Sequence, residues 1–97
     1  MATYVSLLNW TEQGIKAYRD TTARAKAANG LAAKFGGRIA SIWWTIGPYD
    51  LVAVTEFPDD ESSTAFALAL ASAGNIRTTT MRAYGADEVS ALIARIG

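Results

Sequence analysis

The stretch that most constrains this chain is Gly47-Pro48-Tyr49-Asp50. Two runs rich in strand formers flank it, residues 38–46 before it and residues 51–57 after it. Glycine beside proline interrupts helix and ladder alike, so the chain reverses here and a β-hairpin occupies its middle. In the first arm Trp43 and Trp44 are adjacent, and adjacent strand residues point to opposite faces. One tryptophan therefore stands on each side of the sheet, and both sides need cover. Helices supply it on one face; a partner subunit or a ligand is expected on the other.

The rest of the pattern completes a single domain spanning 1–97. Residues 3–9 read as a first strand. Thr11 offers an N-cap hydroxyl and Glu12 an acidic first turn for a helix, with Ile15 and Tyr18 expected to face inward. The pattern weakens at Asp20-Thr21-Thr22, where Thr21 can cap a restart. Ala25, Ala28, Leu31, Ala32 and Phe35 then resume helical spacing up to Gly36-Gly37, a left-handed stop. This reads as one broken helix. After the hairpin, Pro58-Asp59-Asp60-Glu61 opens a second helix whose residues 64–73 are nearly apolar all round, which predicts burial on more than one side. Gly74-Asn75 ends it. Residues 76–84 form a fourth strand, and a last helix places Val89, Leu92, Ile93 and Ile96 on one face, with Arg95 at its negative end. The first six elements follow the split βαββαβ order called ferredoxin-like. The expected fold is α+β, with a four-stranded antiparallel sheet, helices on one face and an extra C-terminal helix.

Composition narrows the chemistry. Hydrophobic residues make up 51% of the chain and charged ones 19%, below the ~25% charged of an average domain. The apolar excess points to surface buried against another subunit, so a homodimer or larger homo-oligomer is expected. Nine basic and nine acidic residues are scattered along the chain; with no basic run, nucleic acid is not an expected partner. No window approaches the ~18–20 apolar residues of a membrane span, and the N-terminus has no signal-peptide pattern, so a cytoplasmic location with no membrane partner is expected. Cysteine and histidine are both absent. That removes thiolate nucleophiles, disulfides, the commonest general base and the commonest transition-metal ligand. No cofactor and no metal site are expected.

Four segments, in order, resemble the GYD domain family. They are Ser6-Leu7-Leu8-Asn9-Trp10-Thr11 with Gly14, Gly36-Gly37, Gly47-Pro48-Tyr49-Asp50-Leu51-Val52, and Gly74-Asn75-Ile76-Arg77-Thr78. The glycine, tyrosine and aspartate that name the family fall on Gly47, Tyr49 and Asp50. The likeness covers essentially the whole chain and departs at Thr21-Thr22-Ala23. It implies a small bacterial-type α/β domain of a family without an assigned reaction. In outline it is similar to the dimeric α/β-barrel proteins, in which two ferredoxin-like sheets face one another.

Candidate site residues each carry a plainer alternative. Tyr49 and Asp50 can line a pocket at the sheet's end, or Asp50 can accept backbone hydrogen bonds as turn aspartates do. Trp43 and Trp44 suit a ligand pocket or an interface equally, and Trp10 belongs with them. Arg77 and Arg82 have opposite parity on the fourth strand. Arg82 can reach an anionic ligand, or either arginine can pair with Glu56 or Asp50 across the sheet. Asp50 and Glu56 lie on one strand about 20 Å apart, too far for a paired acid/base mechanism. Gly36-Gly37 follows a helix and precedes a strand, the reverse of a phosphate loop. Two readings follow. One is a binding or regulatory oligomer holding a small, partly apolar molecule on the sheet face by Trp43, Trp44, Tyr49, Asp50 and Arg82. The other is a cofactor-independent isomerase- or monooxygenase-like enzyme with Asp50 as base and Tyr49 or Arg82 stabilising negative charge. A ligand-free oligomeric scaffold is the third possibility.

Overall fold

The computed structural model describes all residues, 1–97. Strand β1 (Ala2–Trp10) leads into a short helix α1 (Glu12–Lys16), a 3-10 turn (Tyr18–Asp20) and helix α2 (Thr21–Lys34). The hairpin of β2 (Arg38–Trp44) and β3 (Leu51–Phe57) follows, then α3 (Asp60–Ser72), β4 (Ile76–Ala83) and α4 (Ala86–Ile96). The sheet is antiparallel throughout with strand order β2-β3-β1-β4. The split βαββαβ fold, its extra helix and the broken first helix are as the sequence pattern predicts.

Strand parity decides what each face of the sheet does. Leu51, Ala53, Thr55 and Phe57 of β3 are buried while the residues between them are only half-buried. Tyr4 pairs with Thr55 and Leu8 with Leu51 in register, so these residues share one face. There Tyr4 and Phe57 pack with Ala32 of α2 and Phe66 of α3, and the Phe57 and Phe66 rings lie 5.1 Å apart between centroids. Leu8, Leu51, Ala53 and Ile76 form a second cluster on the same side. The opposite face has no helix upon it. Its rows read Trp43, Val52, Leu7 and Val54, Val5, Met81 across neighbouring strands, with Trp43 56% and Met81 45% exposed.

The helices are less deeply buried than their spacing predicts. Ile15 and Tyr18, expected to face inward, are about half exposed (46% and 49%): α1 turns Gly14 inward instead of Ile15, and Tyr18 falls in the 3-10 segment. In α3 only Ser63 and Phe66 are buried and Leu68 points outward, so burial is one-sided. Alanine explains this, since a run of small apolar residues looks uniformly hydrophobic yet demands little cover. Thr21 opens α2 without capping it by side chain. Its hydroxyl instead accepts from Trp44 Nε1 at 2.8 Å.

Local chemistry fixes the element ends. Gly36, with φ +77°, lets α2 end with Gly36 N–H on the Ala33 carbonyl and Gly37 N–H on the Ala32 carbonyl, a paired bond pattern that needs a left-handed residue at this position. Asp59 caps α3 by accepting from Ser62 N–H at 2.8 Å, and that backbone donor holds its carboxyl below the usual range. The α1 N-terminus docks on the α3–β4 turn. Thr11 N–H donates to the Asn75 carbonyl, and the Thr11 hydroxyl to the Gly74 carbonyl. A Cβ on Gly14 would lie 1.9 Å from the Asn75 carbonyl oxygen, a backbone atom that cannot swing aside. Gly14→Ala is therefore expected to destabilise the domain by about 1–3 kcal/mol through overpacking, read as a fall in the urea midpoint with an unchanged slope.

Candidate functional site

The sequence-derived candidates occupy three separate places. Trp43 and Trp44 lie on edge strand β2, Arg82 on the opposite edge strand β4. Three inter-strand spacings separate those edges, about 14 Å. Trp43 is on the open face, whereas Trp44 is on the helix side against Thr21. The structure does not gather Trp43, Trp44, Tyr49, Asp50 and Arg82 around one point of a single chain.

Tyr49 and Asp50 sit in the hairpin turn. Asp50 N–H donates to the Leu8 carbonyl at 2.9 Å, and its carboxylate accepts from Trp10 N–H at 2.9 Å. Thr45 closes the turn, donating its N–H to the Asp50 carbonyl and its hydroxyl to the Tyr49 carbonyl. Asp50 thus ties the turn to the end of β1, the backbone-accepting alternative raised by the sequence.

Arg82 is equally committed. One guanidinium nitrogen donates to the Thr3 and Ala83 carbonyls, and the other to Glu88 Oε2 at 3.2 Å. The guanidinium lies over the Tyr84 ring at 4.2 Å. Glu88 also accepts from Gly85 N–H; first that donor and then Arg82 hold its carboxyl below the usual range. The predicted cross-sheet pairing with Asp50 or Glu56 does not form, because Glu56 is directly opposite Arg38 and bonds it at 2.6 Å.

Beside Arg82, the buried Tyr4 hydroxyl donates to Asp60 Oδ1 at 2.5 Å. Burial, followed by the Asp60 hydrogen bond and charge, pushes the Tyr4 phenol up to about 12.

A half-open concavity lies on the helix side of the sheet, under α2 and α3. It holds about 270 Å³ and is lined by Leu8, Trp10, Ala28, Ala53, Phe66 and Leu70, among others. Its buried polar lining is Thr55 and Ser63. None of the five predicted site residues reaches it, although Asp50 holds the Trp10 backbone in its wall. Thr55 and Ser63 were not singled out from the sequence. The available signal was a hydroxyl at an inward-parity position between Ala53 and Phe57, facing two alanine-rich helices.

No helix is long and apolar enough to cross a membrane, and no cluster of three or more acidic residues is placed to hold a metal ion. A model of the GYD domain matches residues 4–93. A protein of Thermus thermophilus named "Glutamine synthetase and cystathionine beta-lyase binding protein" is 34% identical over 97 residues, spanning 99% of each chain. A crystal structure of a Thermus thermophilus protein superposes on 89% of this chain and 96% of its own, with TM-score 0.57 and 25% identity. An ACT domain protein from Streptococcus pneumoniae covers 84% of this chain and 89% of its own at TM-score 0.49 and 17% identity. The chain belongs to the GYD domain family.

Two measurements check the site geometry. Asp50→Ala leaves Trp10 N–H without its acceptor and is expected to cost about 1–2 kcal/mol in denaturant unfolding, with Asp50→Asn costing less because an amide oxygen still accepts. Tyr4 favours its neutral form in the fold. Its contribution is complete below the ordinary phenol value near 10 and is lost as pH rises through about 12. Melting temperature should therefore drop across that alkaline window, and Tyr4→Phe should flatten the drop.

Proposed function

We propose that this GYD domain protein is a regulatory binding domain that pairs with a second copy of itself, engages a metabolic enzyme in that form, and responds to a small, partly apolar molecule. One observation carries the reading. The open sheet face and helix α4 are two apolar surfaces that their own chain leaves bare. Val89, Leu92, Ile93 and Ile96 of α4 are 41%, 38%, 61% and 84% exposed, and no residue of α4 is buried.

The connection favours a second chain over self-closure. Only Tyr84 and Gly85 separate β4 from α4, and the Arg82–Glu88 pair holds the start of the helix at the end of its own strand. The helix projects, and the molecule is 52 Å long but 18 Å thick. Eleven residues extend about 16 Å, close to the width of a four-stranded sheet at about 4.8 Å per spacing. A two-fold pair with sheets face to face, as in dimeric α/β barrels, buries Trp43, Val52, Val54 and Met81 and gives each α4 a neighbouring surface.

The relative's name links a protein of this family to glutamine synthetase and cystathionine β-lyase, which supports an enzyme as the further partner here. Binding is favoured over turnover because Asp50, the base of the enzymatic alternative, is occupied by Trp10 N–H.

Sedimentation equilibrium should give twice the 10.3 kDa chain mass. Ile93→Glu with Ile96→Glu should return it to one chain mass while circular dichroism stays native, because both side chains are exposed in the single chain. Calorimetry with purified glutamine synthetase and cystathionine β-lyase should show binding by the wild type that weakens by about tenfold or more in the variant. A monomeric wild type at tens of micromolar would overturn the pairing.

A further inference from the structure

Protein interiors pack at about 0.74 of their volume and hold few voids larger than a water molecule. The space under α2 and α3 departs from this. Ala25 and Ala28 of α2, Ala67 of α3 and Ala53 of β3 all face it, and where a closed core would carry large side chains they leave about 270 Å³. That lies just below the ~300–1,000 Å³ typical of small-molecule sites.

The polar groups in this wall indicate what it suits. Thr55 and Ser63 are 3% and 4% exposed, both line the cavity, and neither hydroxyl has a hydrogen-bond partner within the chain. No fully enclosed side-chain nitrogen or oxygen lacks a partner, so these two hydroxyls open onto the cavity itself. Nearby, Ser6, Thr78 and Thr80 satisfy one another, with oxygens 2.9 and 2.8 Å apart. The one charged residue in the wall, Arg24, donates from its two terminal nitrogens to the Ala17 and Gly14 carbonyls. Next to α3 the cavity shares Ser63, Ala67, Thr78 and Thr80 with a more open depression reaching Tyr4, Asp60 and Arg82, which gives a route to solvent.

We infer that this cavity is a ligand site for a compact, uncharged, mostly apolar molecule carrying one hydrogen-bonding group, such as an alcohol, phenol or amide, which Thr55 and Ser63 recognise. The apolar body lies between Leu8, Phe66 and Leu70, and the polar group completes the two free hydroxyls. Covering these hydroxyls without bonding them is costly, so a ligand that supplies a partner gains specificity over an isostere that does not. The inference rests on the regulatory reading only in treating the molecule as held rather than converted. Its site is on the helix side, away from the open face proposed for pairing.

Methyl-detected NMR titrations with benzyl alcohol, toluene, benzoate and benzylammonium test it on the full chain. Benzyl alcohol should shift the Leu8, Leu70 and Ile76 methyls saturably, and benzoate and benzylammonium should bind at least about tenfold more weakly. Thr55→Val with Ser63→Ala should weaken benzyl alcohol several-fold and leave toluene unchanged. Ala67→Leu, which fills the cavity, should abolish the shifts and raise the melting temperature; Ala25→Leu on the opposite wall serves if that variant does not fold. Absence of saturable shifts, or unchanged binding in the filled variant, would overturn the site. Equal binding of benzoate would overturn the uncharged ligand class. Chain mass reads pairing and methyl shifts read the ligand, so each proposal can fail alone.

Discussion

The register between β1 and β3 is the constraint on which the rest of this structure depends. Side chains alternate along a strand, so a slip of one residue would exchange the faces of the sheet. Asp50 fixes that register from outside the ladder. Its N–H donates to the Leu8 carbonyl and its carboxylate accepts from Trp10 N–H, so the hairpin turn grips the end of β1 at two successive outward-pointing amide groups. Leu8 and Leu51 are then opposite one another on the helix side, and Val5, Leu7, Val52 and Val54 line the other. The aspartate that names the family acts here through the backbone.

With the faces assigned, the two sides carry different packing problems. The helix side has aromatic contact at one end, where Tyr4, Phe57 and Phe66 meet, and alanine at the other, where α2 and α3 stand off the sheet. Dispersion contacts scale with the atoms that touch, so the aromatic end holds the layers together and the alanine end leaves room. On the open side, apolar rows meet solvent, and isolated monomers rarely expose contiguous patches of this kind. The same sheet thus has a half-open cavity on one side and a broad apolar surface on the other.

The polar groups that looked chemical in the sequence are mostly spent on architecture. Arg82 joins β4 to α4 through Glu88 and the Thr3 and Ala83 carbonyls, and Trp44 reaches Thr21 across the layer gap. Each has a structural partner that accounts for its polarity. Thr55 and Ser63 differ because their hydroxyls open onto the cavity instead of meeting a partner in the chain. A hydroxyl left open in a cavity wall is a stronger pointer to binding than a reactive residue type alone.

The sequence by itself determined the elements, their order and their ends. Gly36-Gly37, Gly47-Pro48, Asp59 and Gly74-Asn75 act locally, through backbone dihedrals and capping bonds that need no distant partner. It also determined that Trp43 and Trp44 lie on opposite faces, because that follows from strand geometry alone. Tertiary structure decided the rest. Which tryptophan meets the helices depends on the pairing register and on the irregularity between Ile39 and Ser41 in β2. Whether Arg82 was free depended on α4 bringing Glu88 alongside it. Ile15 and Tyr18 kept helical spacing but not burial, because α1 docks through Gly14 and Tyr18 lies in the 3-10 turn that follows. The cavity was hidden for the same reason: alanine spacing records that a helix is apolar, but only the standoff between layers decides whether small side chains close a core or leave it open.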